Sequence, residues 1–491
     1  MGTVVSDCWE RMPFVPYLLN ILYLLLIVLA LPWLVWQSVR KGKYRQGLAA
    51  KLLGRVPRRT SQKTCIWLHA VSVGEVNLLA PLIREIQRQR PDWQCVVSTT
   101  TATGMALAGK KYAGLTVFYC PLDFSWAVAA AVRRIRPDVL VLAELELWPN
   151  LVRAAKRFGA RVAVINGRLS EHSFRGYRRI RPLAARLLRQ IDLVAVQDET
   201  YAGRFRALGA LPSTVHVTGS LKYDGAQTDR NNPATRRLRR LAGFADEDQV
   251  LLAGSTQEPE EAVVLEVYRQ LSRSWPGLRL VLVPRHRDRF RAVARLLDRS
   301  GIPWQRRTEL EAKSLSQNPS PPAPLPASGA RGETSTAPLP ASGARGERSG
   351  TGSKGPDTAA RVLLVDVVGE LGAWWGTAGI AFVGGSLGDR GGQNMIEPAA
   401  YGAAVCFGPN TRNFRDVVAT MLAHDAAVVV ADDEQLSRFA RRCLEDPDYA
   451  AALGDRARSL VLGQLGASRR TFDLLAALAE QRLGHDGRAA A

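Results

Sequence analysis

Glu75 closes the segment HAVSVGE (residues 69–75), which follows the first long apolar run of the chain's body. Gly74 gives the turn freedom, and Glu75 then falls in the first turn of the helix that follows. Backbone N–H groups and the helix dipole at such a place favour an ionised carboxylate. An ionised carboxylate facing a cleft can take a proton from an incoming hydroxyl. The same spacing also fits a helix-start Glu with only a stabilising role. A second acidic constellation, ELELWPN (residues 144–150), ends another apolar run, and Glu144 and Glu146 share one face if the strand continues through them. Two carboxylates there suit acid–base work, or pairing with one of the many arginines. Lys222, in the segment GSLKYD (residues 219–224), can meet a phosphate as a compact point charge, or stand in solvent at a hinge.

The second half carries a different set. Pro284-Arg285-His286 ends an apolar run, and Arg is a natural partner for phosphate or carboxylate. Val368-Gly369-Glu370-Leu371 follows the next run, and Gly384-Gly385-Ser386 the one after. Gly391-Gly392-Gln393-Asn394-Met395-Ile396-Glu397-Pro398 then opens a helical pattern. Paired glycines let backbone amides approach a phosphate, and a helix N-terminus adds a favourable dipole. Glu397 is placed to accept hydrogen bonds from a ribose diol. Neither GxGxxG nor GxxxxGK[ST] occurs, which removes the dinucleotide and P-loop readings. The six histidines are scattered and no HExxH is present, so no metal site is expected.

These residues need strand ends to hold them. From residue 62 on, short β-branched runs alternate with helical patterns, the signature of parallel strands covered on both faces. The first half offers strands at residues 66–72, 94–100, 115–120, 139–144, 161–166, 193–198 and 214–219. Val76, Leu79, Leu82, Ile83 and Ile86 recur at helical spacing after the first of them. The second half offers residues 250–255, 278–284, 361–366, 380–386, 403–408 and 427–432, and residues 223–233 read as the hinge. The expected fold is α/β, with two doubly wound domains, at 62–225 and 226–480, and a tail at 481–491. In such sheets ligands bind beyond the carboxyl ends of the strands. Residues 310–360 break the pattern: APLPASGARGE occurs twice, at 323–333 and 337–347, in a Pro-, Gly-, Ser- and Ala-rich stretch that reads as a disordered insertion.

Ahead of the domains, residues 17–36 are almost unbroken apolar sequence. Twenty such residues reach about 30 Å, the thickness of a bilayer core. A tail (1–16), a transmembrane anchor (17–37) and a basic segment (38–61) are therefore expected, with Pro32 as a place where the segment can enter the membrane without fully crossing. Arg40, Lys41, Lys43, Arg45, Lys51 and Arg55 follow the run, which puts the body of the chain in the cytoplasm. They also suit anionic headgroups. The 491 residues carry 66 Lys+Arg against 45 Asp+Glu, a net charge of +21 that favours polyanionic partners without choosing among them. Six cysteines lie far apart with no CxxC pair, which argues against zinc ribbons, redox motifs and a disulfide framework.

Taken in order, HAVSVGE, ELELWPN, NGRLS (166–170), VTGSLKYD, LVPRH, VGEL and FVGGSLGDRGGQNMIEPAA resemble the 3-deoxy-D-manno-octulosonic acid (Kdo) transferases of lipopolysaccharide inner-core synthesis. The resemblance runs from the anchor to about residue 470. It implies a GT-B glycosyltransferase with the acceptor on the N-terminal domain and CMP-Kdo on the C-terminal one, and a lipid A precursor as acceptor. It implies Glu75 as general base, and Glu144 and Lys222 in transition-state stabilisation. Pro284, Arg285, Val368, Gly369, Glu370, Asn394, Met395, Ile396 and Glu397 match its CMP-binding segments. It further implies inversion at the anomeric centre, no cofactor, no bound metal, no nucleic-acid partner, and a single-pass inner-membrane location beside anionic lipids. Three departures stand out: Ala143-Glu144-Leu145-Glu146, where the family more often has Met-Glu-Thr-Glu; Val368, often Met; and the large insert between the Pro-Arg-His and Gly-Glu-Leu segments. A membrane-anchored transferase using a UDP-sugar, or a non-catalytic binder of anionic lipid or nucleic acid, are the rival readings. The second has no use for Glu75 and Glu144.

Overall fold

The computed structural model describes residues 15–41, 46–145, 147–317 and 361–489. It separates into two compact units, one of residues 1–225 with 463–491, the other of residues 226–462.

The first unit holds seven parallel strands, β1 (Cys65–His69), β2 (Gln94–Thr99), β3 (Thr116–Tyr119), β4 (Val139–Ala143), β5 (Arg161–Gly167), β6 (Leu193–Val196) and β7 (Val215–Val217). They lie in the order β3-β2-β1-β4-β5-β6-β7. Every residue of β1 and β4 is buried, as the unbroken apolar runs require of strands covered on both faces. The helix Val73–Gln89 buries Val76, Leu79, Leu82, Ile83 and Ile86, the stripe read from the sequence. The pairing of β1 with β4 ends at His69 opposite Leu142, so the segments that follow these two strands leave the sheet side by side.

Two expectations are corrected here. β4 stops at Ala143, and Glu144 adopts a left-handed conformation (φ 56°), so Glu144 does not continue a strand toward Glu146. Glu146 itself lies outside the described residues. The second correction concerns residues 463–480, which belong to the first unit, and helix continues through the expected tail to residue 489. The helix Ala467–Ala489 sets Phe472, Leu475, Leu478 and Ala479 into the same core as Ile66, Leu68 and Val76. Arg482 adds an ion pair to Asp138 at 2.9 Å. Its apolar stripe finds the first sheet's open face, which a sequence boundary drawn by chain order misses.

The second unit repeats the design with β8 (Gln249–Thr256), β9 (Leu278–Pro284), β10 (Trp304–Arg306), β11 (Val362–Leu364), β12 (Ile380–Val383), β13 (Ala404–Phe407) and β14 (Val428–Val429). Their order is β10-β11-β9-β8-β12-β13-β14, again parallel. β10 escaped the sequence reading because it is a half-buried edge strand of three residues with no apolar run. The helix Arg307–Gln317 takes up residues 310–317 of the expected insertion; the two repeats lie outside the described residues.

The N-terminal helix Val15–Lys41 is long and apolar enough to cross a membrane, with a mean hydropathy of 2.0 over Pro16–Trp33. It is also fastened to the first unit. The Asn20 side chain donates from Nδ2 to Ser125 Oγ at 2.7 Å and accepts the Ser125 backbone N–H at 3.0 Å. The Tyr23 hydroxyl donates to Asp123 at 3.2 Å.

If the C-terminal helix completes the first core, Leu475→Ala, fully buried there, costs the first unit about 2–5 kcal/mol and leaves the second unchanged. Hydrogen exchange read separately on the two sheets in rising urea checks this; weakening confined to the second sheet contradicts it.

Candidate active site

In the first unit, the site grows from the carboxyl ends of β1, β4 and β5. Ser72 caps the helix Val73–Gln89, with Oγ accepting the Glu75 N–H at 3.3 Å. The Glu75 carboxylate answers by accepting the Ser72 hydroxyl at 2.6 Å and the Val71 N–H at 2.8 Å. This is a variant of the capping box, whose Ser-x-x-Glu spacing stands in the sequence. Glu75 is only 8% exposed. Burial raises its pKa above the ordinary carboxylate value, the Ser72 and Val71 hydrogen bonds oppose the rise, and the neighbouring Glu144 charge adds to it. Desolvation outweighs those donors, so Glu75 holds its proton more tightly than helix-end groups alone imply. A raised pKa brings the group closer to the range in which a general base works best.

The loop before the helix is held from below. Thr99 and Thr101, at the end of β2, donate their hydroxyls to Val71 O at 3.2 and 3.1 Å. His69 is fully buried, with Nδ1 2.9 Å from Ser98 Oγ and its ring edge-on to Trp148. Burial depresses its pKa to about 4, so it is neutral and serves the loop's shape.

Glu144 stands beside Glu75 with a Lys222 Nζ–Glu144 Oε1 separation of 3.9 Å, each side chain about a quarter exposed. The left-handed backbone of Glu144 costs roughly 1 kcal/mol or more and turns the chain abruptly at the strand end. Lys222 follows β7, three strands away from β4 in the sheet, yet meets Glu144. Asn166 explains this. It is the penultimate residue of β5, has φ 52°, is fully buried, and its Oδ1 accepts the Leu221 N–H at 3.0 Å. That bond draws the segment carrying Lys222 back over the sheet. The signal was an Asn-Gly pair at a strand end, since Asn tolerates the left-handed region.

The second unit brings together a separate group. Pro284 ends β9, and Arg285 is exposed with its N–H on Thr256 O at 3.0 Å. Glu397 accepts from Asn394 Nδ2 at 3.0 Å, and burial raises its pKa against the opposing Asn394 hydrogen bond and Arg285 charge. The Asn394 Oδ1 accepts the Ile396 N–H at 3.1 Å, so the first amide of the five-residue helix Ile396–Ala400 is already engaged. Met395 and Ile396 bury their side chains, leaving only backbone for a ligand. Val368 is 59% exposed, and Gly369 has φ 101°. The Glu370 carboxylate is held by Arg307, at 2.8 Å from Nε and 2.6 Å from Nη2, and by Trp374 Nε1 at 3.3 Å. Arg307 is 2% exposed and went unread in the sequence, where it looked like one more solvated cation.

One expected phosphate cradle is filled. The N–H groups of Gly385, Ser386, Leu387 and Gln257 converge on the Glu260 carboxylate at 2.7, 2.8, 3.0 and 2.9 Å. A Cβ at Gly384 would stand 2.6 Å from Thr256 Cα, which accounts for glycine there. The Gly384-Gly385 pair therefore serves an internal anion, and Arg285, Asn394, Glu397 and the 368–370 turn are among the groups left open to a ligand. Among the described residues no cluster of three or more His, Cys, Asp or Glu is arranged to hold a metal.

Residues 45–225 match the family model described as 3-deoxy-D-manno-octulosonic-acid transferase (kdotransferase). The chain is 29% identical over 442 residues to the 3-deoxy-D-manno-octulosonic acid transferase of Haemophilus influenzae, spanning 89% of this chain and 92% of that one. It is 30% identical over 458 residues to the enzyme of the same description from Bordetella pertussis, spanning 90% and 95%. The chain belongs to the 3-deoxy-D-manno-octulosonic acid transferase family. Among solved structures it is similar to the UDP-GlcNAc 2-epimerase from Neisseria meningitidis bound to UDP-GlcNAc, with a TM-score of 0.50, 12% identity, and coverage of 84% of this chain and all of that one. That likeness concerns the fold, two parallel Rossmann-like sheets of GT-B type. As a Kdo transferase family member the chain is a glycosyltransferase.

The raised pKa of Glu75 has a definite pH signature. The folded state holds its proton to higher pH than the unfolded chain, so this group's stabilising contribution is present at low pH and lost as pH rises through the folded value. Activity moves the opposite way, since a base must be deprotonated. The acid limb of kcat/KM should turn over above the about 4.3 of a solvated Glu. A limb that turns over below that value contradicts the burial account.

Proposed function

We propose that the chain moves Kdo from CMP-Kdo to a lipid A precursor of the lipid IVA type, with inversion, in a single displacement. The observation that carries the reading is the Glu75 carboxylate, buried, oriented through both oxygens, and adjacent to the Glu144–Lys222 pair. An acceptor glucosamine hydroxyl attacks the anomeric carbon of Kdo as Glu75 takes its proton. The bond from that carbon to the phosphate oxygen breaks on the opposite face, and CMP leaves with the electron pair. Fixed cations are worth most where charge develops, and Lys222 and Arg285 are the cations assigned to the departing phosphate. Glu144 holds Lys222 and adds negative potential at Glu75, which keeps the base strong. For the nucleotide, Glu397 and Asn394 suit a ribose diol, and the 368–370 turn offers backbone.

We further propose that the chain works on the cytoplasmic face of the inner membrane. The apolar helix and the basic residues after it support attachment there. The sequence implied a single-pass anchor and left open, at Pro32, whether it fully crosses; the docked helix argues that it does not. Asn20 lies roughly 30 Å along the axis from Lys41, a full bilayer core away, yet it bonds Ser125 of the folded unit. A crossing helix would forfeit that bond and the Tyr23–Asp123 bond. A helix lying at the membrane surface keeps both.

Two results test the donor assignment. CMP should raise the melting temperature and UDP should not. Arg285→Ala and Glu397→Ala should each weaken CMP binding in calorimetry by roughly ten- to a hundredfold, the worth of one charge-assisted hydrogen bond. Unchanged affinity in both variants, or equal protection by UDP, rejects it.

A further inference from the structure

The turn that offers its backbone to the nucleotide is shaped from outside. Val367, Val368 and Gly369 make no backbone hydrogen bond to any described residue, and Gly369 stands at φ 101°. Their amides and carbonyls are open, so no bond inside the turn fixes its form. Its two ends are carboxylates. Asp366 accepts the Thr308 N–H at 3.1 Å on Oδ1 and the Thr308 hydroxyl at 2.7 Å on Oδ2. Glu370 accepts Arg307 Nε at 2.8 Å and Nη2 at 2.6 Å, one oxygen for each. Two consecutive residues therefore hold both ends of the turn.

The sheet places this clamp. β10 and β11 are parallel and end level, with Arg306 opposite Leu364, so Arg307 and Thr308 leave the sheet beside the start of the turn. Arg307 is 2% exposed, and its Nη1 donates to Glu311 one helical turn on. Trp374, fully buried, adds its indole N–H to Glu370 at 3.3 Å. A planar fork on a carboxylate fixes direction as well as distance, which a single ammonium does not. The bonded pairs are 58 and 63 residues apart in the chain, and β10 and β11 have three residues each. Bringing together the ends of so long an excursion has an entropic cost that short strands alone meet poorly. Just past the turn, a Cβ on Gly372 would lie 3.9 Å from Glu397 Oε2, so this segment also borders the group assigned to the ribose.

We propose that Arg307 and Thr308 are positioning residues for nucleotide binding, holding the 366–370 turn in the form that its open backbone presents to CMP. This rests on the donor reading above. A turn ordered in advance relieves the ligand of ordering it, so the clamp acts on affinity without touching CMP. Arg307 is buried and engaged by two carboxylates, so it works through Glu370 and not on a phosphate.

The test uses the full chain and CMP, with affinity read by calorimetry and the melting temperature followed in parallel. Thr308→Val removes the hydroxyl bond to Asp366, and Thr308→Ser keeps it. Arg307→Lys keeps the charge and loses the fork. Leu271→Val, at the fully buried last residue of the helix Glu260–Leu271, is the control for lost stability alone. Thr308→Val and Arg307→Lys should each weaken CMP binding roughly three- to tenfold, the order of one hydrogen bond's net worth, and Thr308→Ser should stay within about twofold of the unaltered chain. In transfer assays the KM for CMP-Kdo should rise in both weakened variants while the KM for the lipid acceptor does not move. Leu271→Val should melt earlier and bind CMP as before. CMP binding by the unaltered chain that Thr308→Val and Arg307→Lys leave intact would overturn this inference alone. No CMP binding by the unaltered chain would overturn the donor reading and the clamp with it. An equal loss in Leu271→Val would reduce the effect to stability, and a Thr308→Ser no better than Thr308→Val would remove the hydroxyl from it; either result overturns the proposal.

Discussion

A carboxylate taken out of water must be met by donors or give up its charge, and this constraint organises both halves of the molecule. Glu75 and Glu260 are two answers to it. Glu260 receives four backbone N–H groups and locks the end of β12 to the start of its neighbouring helix. Glu75 receives one N–H and one hydroxyl, with Glu144 nearby, and its proton is held more tightly than usual. The fully satisfied acid is architecture, since nothing further can be asked of it. The partly satisfied acid keeps capacity for a proton from outside, which is what a general base needs. Glu370 stands with the first kind, its charge met by the buried Arg307.

Much of this was legible in the chain. Thirteen of the strands follow from apolar runs, because parallel strands buried on both faces leave little room for polar residues. The exception, β10, is an edge strand whose half-buried residues carry no such signal. Motif residues at strand ends were readable for the same reason: the apolar run stops where the site begins. What could not be read is partnership across the fold. Asn166 draws Lys222 to Glu144 from three strands away, Glu260 fills the amide nest of the paired glycines, and Arg307 holds Glu370 across 63 residues of chain. Each is a long-range hydrogen bond with no local periodicity. The C-terminal helix is the same lesson at larger scale, since its apolar stripe matches either sheet and only the three-dimensional core chooses.

The apolar N-terminal helix shows what composition leaves open. Length and hydropathy alone describe a membrane span. Two polar side chains on one face, Asn20 and Tyr23, are the part that a hydropathy average hides, and they tie the helix to Ser125 and Asp123. A helix so tied has one face for protein and leaves the rest apolar and exposed. Under the proposed function, that arrangement would bring the catalytic unit against the lipid surface without a flexible tether.

The central claim is that one buried carboxylate, Glu75, takes the acceptor's proton during Kdo transfer. The most direct measurement compares the full chain with Glu75→Gln, which keeps the side chain's size and removes its basicity. Each is given CMP-Kdo generated in situ and a tetra-acylated lipid A precursor, with product read by mass spectrometry and CMP affinity by calorimetry in parallel. The account predicts that the unaltered chain adds Kdo to the precursor and that Glu75→Gln binds CMP as before yet forms almost no product. Product formation by Glu75→Gln at a rate near that of the unaltered chain would contradict it.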